Sequence, residues 1–145
     1  MKNKIIYCAM CADILHNGHI NILKRASKYG QVIVGLLTDR AIKKYKTTSP
    51  ILNYNQRKLV LISIRYVYKI ISQNTLSYIP NLKKIKPDFV IHGNDWRKGT
   101  QSKTRKDVIN FLKKYNGKLI EPKYTANISS SIIKKKLRNK IYSLK

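Results

Sequence analysis

The sequence predicts an α/β fold in which a doubly wound parallel sheet of about five strands forms a single domain over residues 1–145. Two observations carry this prediction. Short apolar runs alternate along the chain with segments of helical periodicity, which is the order of elements in such a sheet. The apolar runs are nearly unbroken, as expected of parallel strands that helices cover on both faces. No repeat, low-complexity linker or domain boundary interrupts the pattern.

Five strands are predicted from the apolar runs. The first run contains no charged side chain and is expected to be a central strand, and the second is equally apolar. Pro87 and Asp88 precede the fourth strand, and Gly117 precedes the fifth. The predicted strands cover residues 5–10, 32–37, 67–71, 89–91 and 118–120.

Start and stop signals define the predicted helices. Gly30 and Gly117 are natural stops for the first and fifth helices, and Thr38 or Asp39 can cap the second. Pro80 lies inside the fourth helical segment, so a short or broken helix is expected there. The predicted helices cover about residues 20–29, 41–45, 54–64, part of 75–85, 104–115, and a basic C-terminal segment that Ser129 or Ser130 caps.

The charge is strongly positive, with 31 Lys and Arg against 6 Asp and Glu and a formal net charge of +25. Such a charge is found in nucleic-acid-binding proteins, in proteins with small anionic substrates, and in chains whose composition has drifted toward lysine. The basic residues are spread along the chain and form no single block. No recognition helix, RNA-binding platform or zinc-finger pattern supports a nucleic-acid partner, so that hypothesis ranks last.

No targeting or membrane segment is predicted. The N-terminal apolar run is short and is interrupted by Asp13 and the histidines, unlike a signal peptide. No stretch reaches the roughly 18 apolar residues of a membrane span. A cytoplasmic protein without a membrane partner is therefore expected.

A zinc site is the tempting interpretation of the two cysteines. Cys8 and Cys11 precede His16 and His19 in a Cys-x2-Cys-x4-His-x2-His pattern. Residues three apart on a strand point to opposite faces, and the loop is far shorter than the roughly 12 residues of a zinc finger. Buried free thiols are therefore expected, and no metal site built by the protein is predicted.

The stretch from Asp13 to Ile20 joins the first predicted strand to the first helix. His16 and His19 lie three residues apart, so their rings can turn to the same side of the opening helical turn. Gly18 lets the backbone approach a ligand closely. The first amides of a helix are unpaired and its dipole is positive there, so this turn is a candidate phosphate site.

Further candidates fall at or beyond the predicted ends of other strands, where ligands of doubly wound sheets bind. They are Asp39, the segment His92–Trp96, and Ser129 to Ser131, whose hydroxyls and amides could form an anion nest. Each has an ordinary structural alternative. The serines could be a simple helix cap and Trp96 a packed core residue, while Asp13 could orient a histidine or merely cap the turn.

Four motifs in this order resemble the cytidylyltransferases of the His-x-Gly-His nucleotidyltransferase superfamily. They are His16-x-Gly18-His19, Tyr54-x-x-Arg57, His92-Gly93-Asn94-Asp95-Trp96 and Ile128-Ser129-Ser130-Ser131. The resemblance covers almost the whole chain and implies a Rossmann-like fold.

The details are most similar to the branch that activates phosphonates. The segments that suggest this branch are Leu37-Thr38-Asp39, Asn74-Thr75-Leu76, Arg97-Lys98-Gly99 and residues 121–125. Two of the motifs depart from the common family pattern, at three positions. Tyr124 and Asn127 stand where Arg and Gly are usual, and Asn94 replaces a usual acid, which puts a direct metal role for that loop in doubt.

The resemblance implies transfer of CMP from CTP to a phosphonate such as 2-aminoethylphosphonate, with release of pyrophosphate. Phosphocholine, phosphoethanolamine and glycerol 3-phosphate are alternative acceptors. Mg²⁺ would be bound mainly through the CTP phosphates, and a homodimer is implied.

The resemblance also assigns roles to residues. Lys46 is preferred to its neighbours Lys43 and Lys44 because the family places a catalytic lysine after the second strand and short helix. The planar guanidinium of Arg57 suits a phosphate, although a solvated helix arginine is an equal alternative from the residues alone. The predicted catalytic residues are His16, His19 and Lys46, and the predicted nucleotide-binding residues are Met10, Cys11, Asp13, Gly18, Arg57, His92, Gly93, Asp95, Trp96, Ile128, Ser129, Ser130 and Ser131.

Overall fold

A computed structural model describes residues 3–145 and contains one sheet of five parallel strands. The strand order across the sheet is β3-β2-β1-β4-β5. The strands are β1 (Ile5–Met10), β2 (Gln31–Leu37), β3 (Lys69–Gln73), β4 (Phe89–Ile91) and β5 (Lys118–Ile120). The helices are α1 (Asn17–Ser27), α2 (Asp39–Lys46), α3 (Tyr54–Ile62), α4 (Ile79–Ile85), α5 (Ser102–Lys113) and α6 (Ser130–Ser143), with a short 3-10 helix at Asn94–Arg97.

Helices cover both faces of the sheet, as the unbroken apolar runs predicted. Alternate residues of β1 point to opposite faces. Ile6 packs with Leu23 of α1 and Leu61 of α3, whereas Tyr7 packs with Leu82 of α4 and Val108 of α5. The doubly wound α/β fold is therefore confirmed.

Three strands match their predicted bounds, and the other elements shift by a few residues. α1 begins three residues before its predicted start because the His16 side chain caps it. β3 begins two residues late because the amide of Val67 closes a turn on the carbonyl of Ile64. Pro80 lies in the first turn of the seven-residue α4, where its missing N–H leaves no helical bond unmade.

The order of the strands determines where a ligand can bind. From β1 the chain extends to β2 and β3 on one side, then returns to β4 and β5 on the other. The connections therefore diverge between β1 and β4, which leaves a crevice beyond their carboxyl ends. Within residues 3–145, no helix is both long and apolar enough to cross a membrane.

Candidate active site

The turn from β1 into α1 holds both histidines of the motif through backbone contacts. His16 is the N-cap of α1, and its Nδ1 accepts a hydrogen bond from the Gly18 amide at 3.0 Å. Nδ1 of His19 accepts from the His16 amide at 3.1 Å, which completes a reciprocal capping box. The two ring centroids lie 4.0 Å apart. The backbone thus fixes both rings side by side at the mouth of the crevice.

These contacts also determine where each imidazole carries its proton. A backbone amide can only donate, so each Nδ1 must be the unprotonated nitrogen and each Nε2 carries the hydrogen. Burial lowers the pKa of His16. Burial, followed by the charges of His16 and Lys46, lowers the pKa of His19 to about 4. Both rings are therefore neutral near pH 7 and offer Nε2–H donors.

The N-terminus of α6 lines the same cleft as the two histidines. The Ser129 hydroxyl accepts from the Ile132 amide at 3.1 Å and caps the helix. The Ser130 hydroxyl donates to the Ile14 carbonyl at 3.0 Å, which ties the helix to the β1–α1 turn. The amides of the first helical residues have no partner within the helix, so they are available to an anion.

Asp13 does not reach the cleft, although it was predicted to contact the nucleotide. It is 2% exposed, and one carboxylate oxygen accepts from the amides of Ile51 and Leu52 while the other accepts from Lys134 at 2.8 Å. Burial alone would raise the pKa of Asp13, but these hydrogen bonds outweigh it and hold the pKa below its ordinary value. Asp13 therefore supports the walls of the cleft and orients neither histidine.

Arg57 was predicted to bind phosphate, but the structure gives its guanidinium a different role. The side chain is buried and donates to the carbonyls of Leu52, Cys11 and Leu37 at 2.7–3.0 Å. Its remaining terminal nitrogen pairs with Asp39 at 2.7 Å. The planar fork thus joins the ends of β1 and β2 to the start of α3, and it is not among the residues that line the cleft.

Trp96 is a core residue and not a lining residue of the cleft. It is 2% exposed, and its indole nitrogen donates to Glu121 at 2.8 Å. The His92 ring stacks on it, with centroids 3.9 Å apart and an interplanar angle of 9°. Hydrogen bonds from Arg105, and then from Arg97 and Trp96, outweigh burial and lower the pKa of Glu121 to about 2. Trp96 therefore supports the lining residue His92 by stacking and does not itself line the cleft.

His92 has the opposite tautomer to the other two histidines. Its Nδ1 lies 2.7 Å from the Gly93 carbonyl, which can only accept, so Nδ1 carries the hydrogen. Burial lowers the pKa of His92, although Gly93, Asp95 and Glu121 oppose the shift. The neutral ring therefore has a lone pair on Nε2. His92, Gly93 and Asp95 all line the cleft.

The other predicted residues differ in whether they line the cleft. Met10, Cys11, Gly18, Lys46 and Ser131 line the cleft, whereas neither Lys43 nor Lys44 does. A Cβ at Gly18 would lie 3.6 Å from Ile128, which is absent from the lining set and packs near Gly18. Their roles toward a nucleotide stay predictions.

Several lining residues were not assigned from the sequence. They are Tyr45, Gln73, Leu76, Tyr78, Gln101, Tyr124 and Thr125. Gln73 ends a strand, and a polar residue at the carboxyl end of a strand is a sequence signal for a ligand-facing side chain. The others come from helix ends and loops, where no periodic pattern marks a side chain as facing a ligand.

The side chains around the cleft provide few ligands for a divalent cation. Both cysteines are free. In the described part of the chain, no group of three His, Cys, Asp or Glu side chains could hold a metal. Among the lining residues that the structure describes, Asp95 is the one carboxylate. Further ligands of a Mg²⁺ ion would therefore have to be phosphate oxygens and water.

The role of Arg57 can be tested by its removal. We expect Arg57→Met to lower the free energy of unfolding by about 3 kcal/mol or more, since it leaves buried carbonyls without their donor. Urea unfolding measures this change. The control is Lys58→Met on the same helix, where the exposed side chain should change stability by less than about 0.5 kcal/mol. An Arg57→Met protein as stable as wild type, with weaker nucleotide binding, would restore the phosphate-binding role.

The tautomers can be read from ¹⁵N NMR, because the chain has three histidines. We expect Nε2–H signals for His16 and His19, an Nδ1–H signal for His92, and a His19 midpoint near pH 4. The folded state then binds fewer protons than the unfolded state below the ordinary pKa of 6.5. Stability should therefore fall as the pH drops from there. An Nδ1–H signal from His16 or His19, or an unshifted His19, would contradict the geometry.

Comparison with known proteins relates this chain to a family. The model of the cytidylyltransferase-like family matches residues 7–136. The bifunctional protein HldE of Helicobacter hepaticus is 32% identical over an alignment of 143 positions, which covers 94% of this chain and 28% of that protein. HldE of Aliarcobacter butzleri is 37% identical over 99 residues, 66% of this chain and 21% of that protein. The chain therefore spans less than a third of the length of these curated relatives.

Solved structures share the fold. A lipopolysaccharide core biosynthesis protein from Thermoplasma volcanium has a TM-score of 0.68 and 22% identity, covering 86% of this chain and 100% of that one. A pantoate-beta-alanine ligase from Francisella tularensis has a TM-score of 0.65 and 18% identity over 97% of this chain and 70% of that one. At these identities the likeness concerns the fold alone. The match over residues 7–136 decides the family, and the chain belongs to the cytidylyltransferase-like nucleotidyltransferases.

Proposed function

We propose that this chain transfers a nucleoside monophosphate from a nucleoside triphosphate to a small phosphorylated acceptor and releases pyrophosphate. One observation carries the proposal. Two neutral imidazoles with Nε2–H donors and the N-terminus of α6 line a single cleft. A triphosphate could bind between these two groups. Both the imidazoles and the helix N-terminus present N–H donors, already held in position, to its negatively charged oxygens.

The proposed reaction is an in-line displacement at the α-phosphorus. A bond forms from an acceptor oxygen to the α-phosphorus, and the bond to the pyrophosphate oxygen breaks. The acceptor oxygen is already ionised, so no strong general base is needed and catalysis depends on position and charge. His16 and His19 donate to the α-phosphate oxygens, and Lys46 adds positive charge beside them. The free amides at Ser130 and Ser131 hold the outer phosphates.

A divalent cation fits this arrangement in a limited way. Mg²⁺ bound to the triphosphate would neutralise charge on the leaving pyrophosphate. Asp95 is the protein carboxylate in the cleft that could approach it, directly or through water. Asp13 takes no part in this role, because it does not line the cleft and its carboxylate is already bound by Lys134 and the amides of Ile51 and Leu52.

Two acceptor classes have support. Relatives named HldE, similar over up to 94% of the chain, favour a sugar phosphate. The motifs around Tyr124 and Asn94 resemble the phosphonate branch and favour 2-aminoethylphosphonate with CTP as donor. We place the sugar phosphate first, because that similarity extends over the chain while the phosphonate argument depends on short segments. The donor nucleotide is also open to two proposals. The motifs favour CTP, and ATP is the alternative.

One assay separates these possibilities. Pyrophosphate release is measured with CTP, ATP, GTP and UTP against sugar 1-phosphates of six and seven carbons, 2-aminoethylphosphonate, phosphocholine and glycerol 3-phosphate. Release that depends on both a nucleotide and an acceptor supports the proposal, and the best pair identifies the substrates. No release with any pair would defeat it.

The part played by His16 calls for a variant that keeps the helix cap. Asparagine is a good N-cap, so His16→Asn retains an acceptor for the Gly18 amide while removing the Nε2–H donor. We expect the rate of transfer to fall by about a hundredfold or more, with the thermal midpoint nearly unchanged. His16→Ala, which loses both cap and donor, is the comparison. Transfer at the wild-type rate in His16→Asn would remove His16 from the mechanism.

A further inference from the structure

Gln73 has an unused hydrogen-bond donor beside the cleft. It is the last residue of β3, lines the cleft, and is 2% exposed. Its Nε2 is buried and has no hydrogen-bond partner among the described residues. Buried polar groups nearly always have partners, so a donor left without one at the edge of a ligand cleft points to a ligand atom.

A chain of hydrogen bonds fixes which end of the carboxamide is left over. The Ser72 carbonyl can only accept, so the Asn81 nitrogen that lies 3.0 Å away must donate to it. The same nitrogen donates to the Tyr7 hydroxyl at 2.9 Å. That hydroxyl in turn donates to Oε1 of Gln73 at 2.5 Å. Nε2 of Gln73 is therefore the end of the chain that remains free.

The surrounding residues hold this arrangement in place. Burial raises the pKa of the Tyr7 hydroxyl, so it keeps the proton that it donates to Gln73. A Cβ at Gly35 would overlap the Tyr7 hydroxyl and would lie 3.0 Å from Oε1 of Gln73. The glycine in the middle of β2 thus leaves the space that this pair occupies.

The chain around Gln73 carries no charged side chain from Ser72 to Tyr78. Leu76 and Tyr78 also line the cleft, and the Gln101 amide in the cleft already donates to the Tyr45 hydroxyl at 2.8 Å. Asp95 follows β4, on the other side of β1 in the sheet. An ammonium group has no lone pair and cannot accept from the Nε2–H group of Gln73, whereas a hydroxyl oxygen would satisfy this donor.

We propose that Gln73 selects the acceptor by donating from Nε2 to an uncharged oxygen, a hydroxyl, of a polyhydroxylated phosphate. This inference rests on the proposed function and names its acceptor class. Gln73 is a specificity residue that contacts the part of the acceptor away from the reacting phosphate. Because an ammonium group cannot accept a hydrogen bond, the free donor favours a sugar phosphate over an aminoalkyl phosphonate at this position.

Binding and turnover are measured separately. In ¹⁵N-labelled protein, the side-chain NH₂ pair that disappears in Gln73→Met identifies Gln73. We expect this pair to shift when glucose 1-phosphate, mannose 1-phosphate or a heptose 1-phosphate is added to the millimolar range, and to stay unchanged with 2-aminoethylphosphonate. In turnover, Gln73→Met should raise the KM for the sugar phosphate by about tenfold and leave the KM for the nucleotide within about twofold.

Two further variants keep the test independent of folding. Gln73→Glu retains an acceptor for the Tyr7 hydroxyl and removes the donor, so it should lose the sugar phosphate as Gln73→Met does. Gln31→Met makes the same change at the amino end of β2, away from the cleft, and should leave both KM values unchanged.

The outcomes distinguish this inference from the proposed function. A shifted Gln73 pair without turnover supports the acceptor contact and defeats the transferase proposal. Turnover of sugar phosphates with an unmoved Gln73 pair and unchanged KM values in both Gln73 variants overturns the inference and leaves the transferase intact. An unmoved pair with every sugar phosphate, or turnover of 2-aminoethylphosphonate that Gln73→Met does not affect, also overturns it.

Discussion

The ion pair between Asp13 and Lys134 joins residues that are 121 positions apart in the chain, and the cleft depends on it. A buried carboxylate is costly unless its charge and its lone pairs are matched. Lys134 and the amides of Ile51 and Leu52 supply that match. Together with the bond from Ser130 to the Ile14 carbonyl, the pair fastens α6 against the β1–α1 turn. These two contacts therefore hold the serines of α6 beside the imidazoles in one cleft.

Backbone contacts prepare the donors of the cleft before any ligand arrives. Nδ1 of His16 and Nδ1 of His19 each accept a hydrogen bond from an amide of their own turn. The Nε2–H group of each ring is therefore the donor that remains for a ligand. Because burial lowers the pKa of both rings, the donors are present without a positive charge. Donors fixed in this way need little reorganisation when charge develops on a phosphate.

Much of the fold followed from the sequence because its strands are short, apolar and separated by clear stop signals. The placement of candidate residues at strand ends also followed, since doubly wound sheets expose those ends together. The interior roles of Arg57 and Trp96 did not follow. Their partners are carbonyls and a carboxylate from distant segments, which no local pattern indicates. Gln73 was missed for a related reason, because its significance lies in a partner that is lacking.

In the proposed function, the imidazoles and the start of α6 hold a triphosphate between them. A crystal structure with the α,β-methylene analogue of the preferred nucleotide tests this most directly. We expect the α-phosphate within hydrogen-bond distance of Nε2 of His16 and His19, and the outer phosphates on the amides at Ser130 and Ser131. Phosphates bound instead on the basic surface of α1 and the β5–α6 loop, formed by Lys24, Arg25, Lys28 and Lys123, would contradict it.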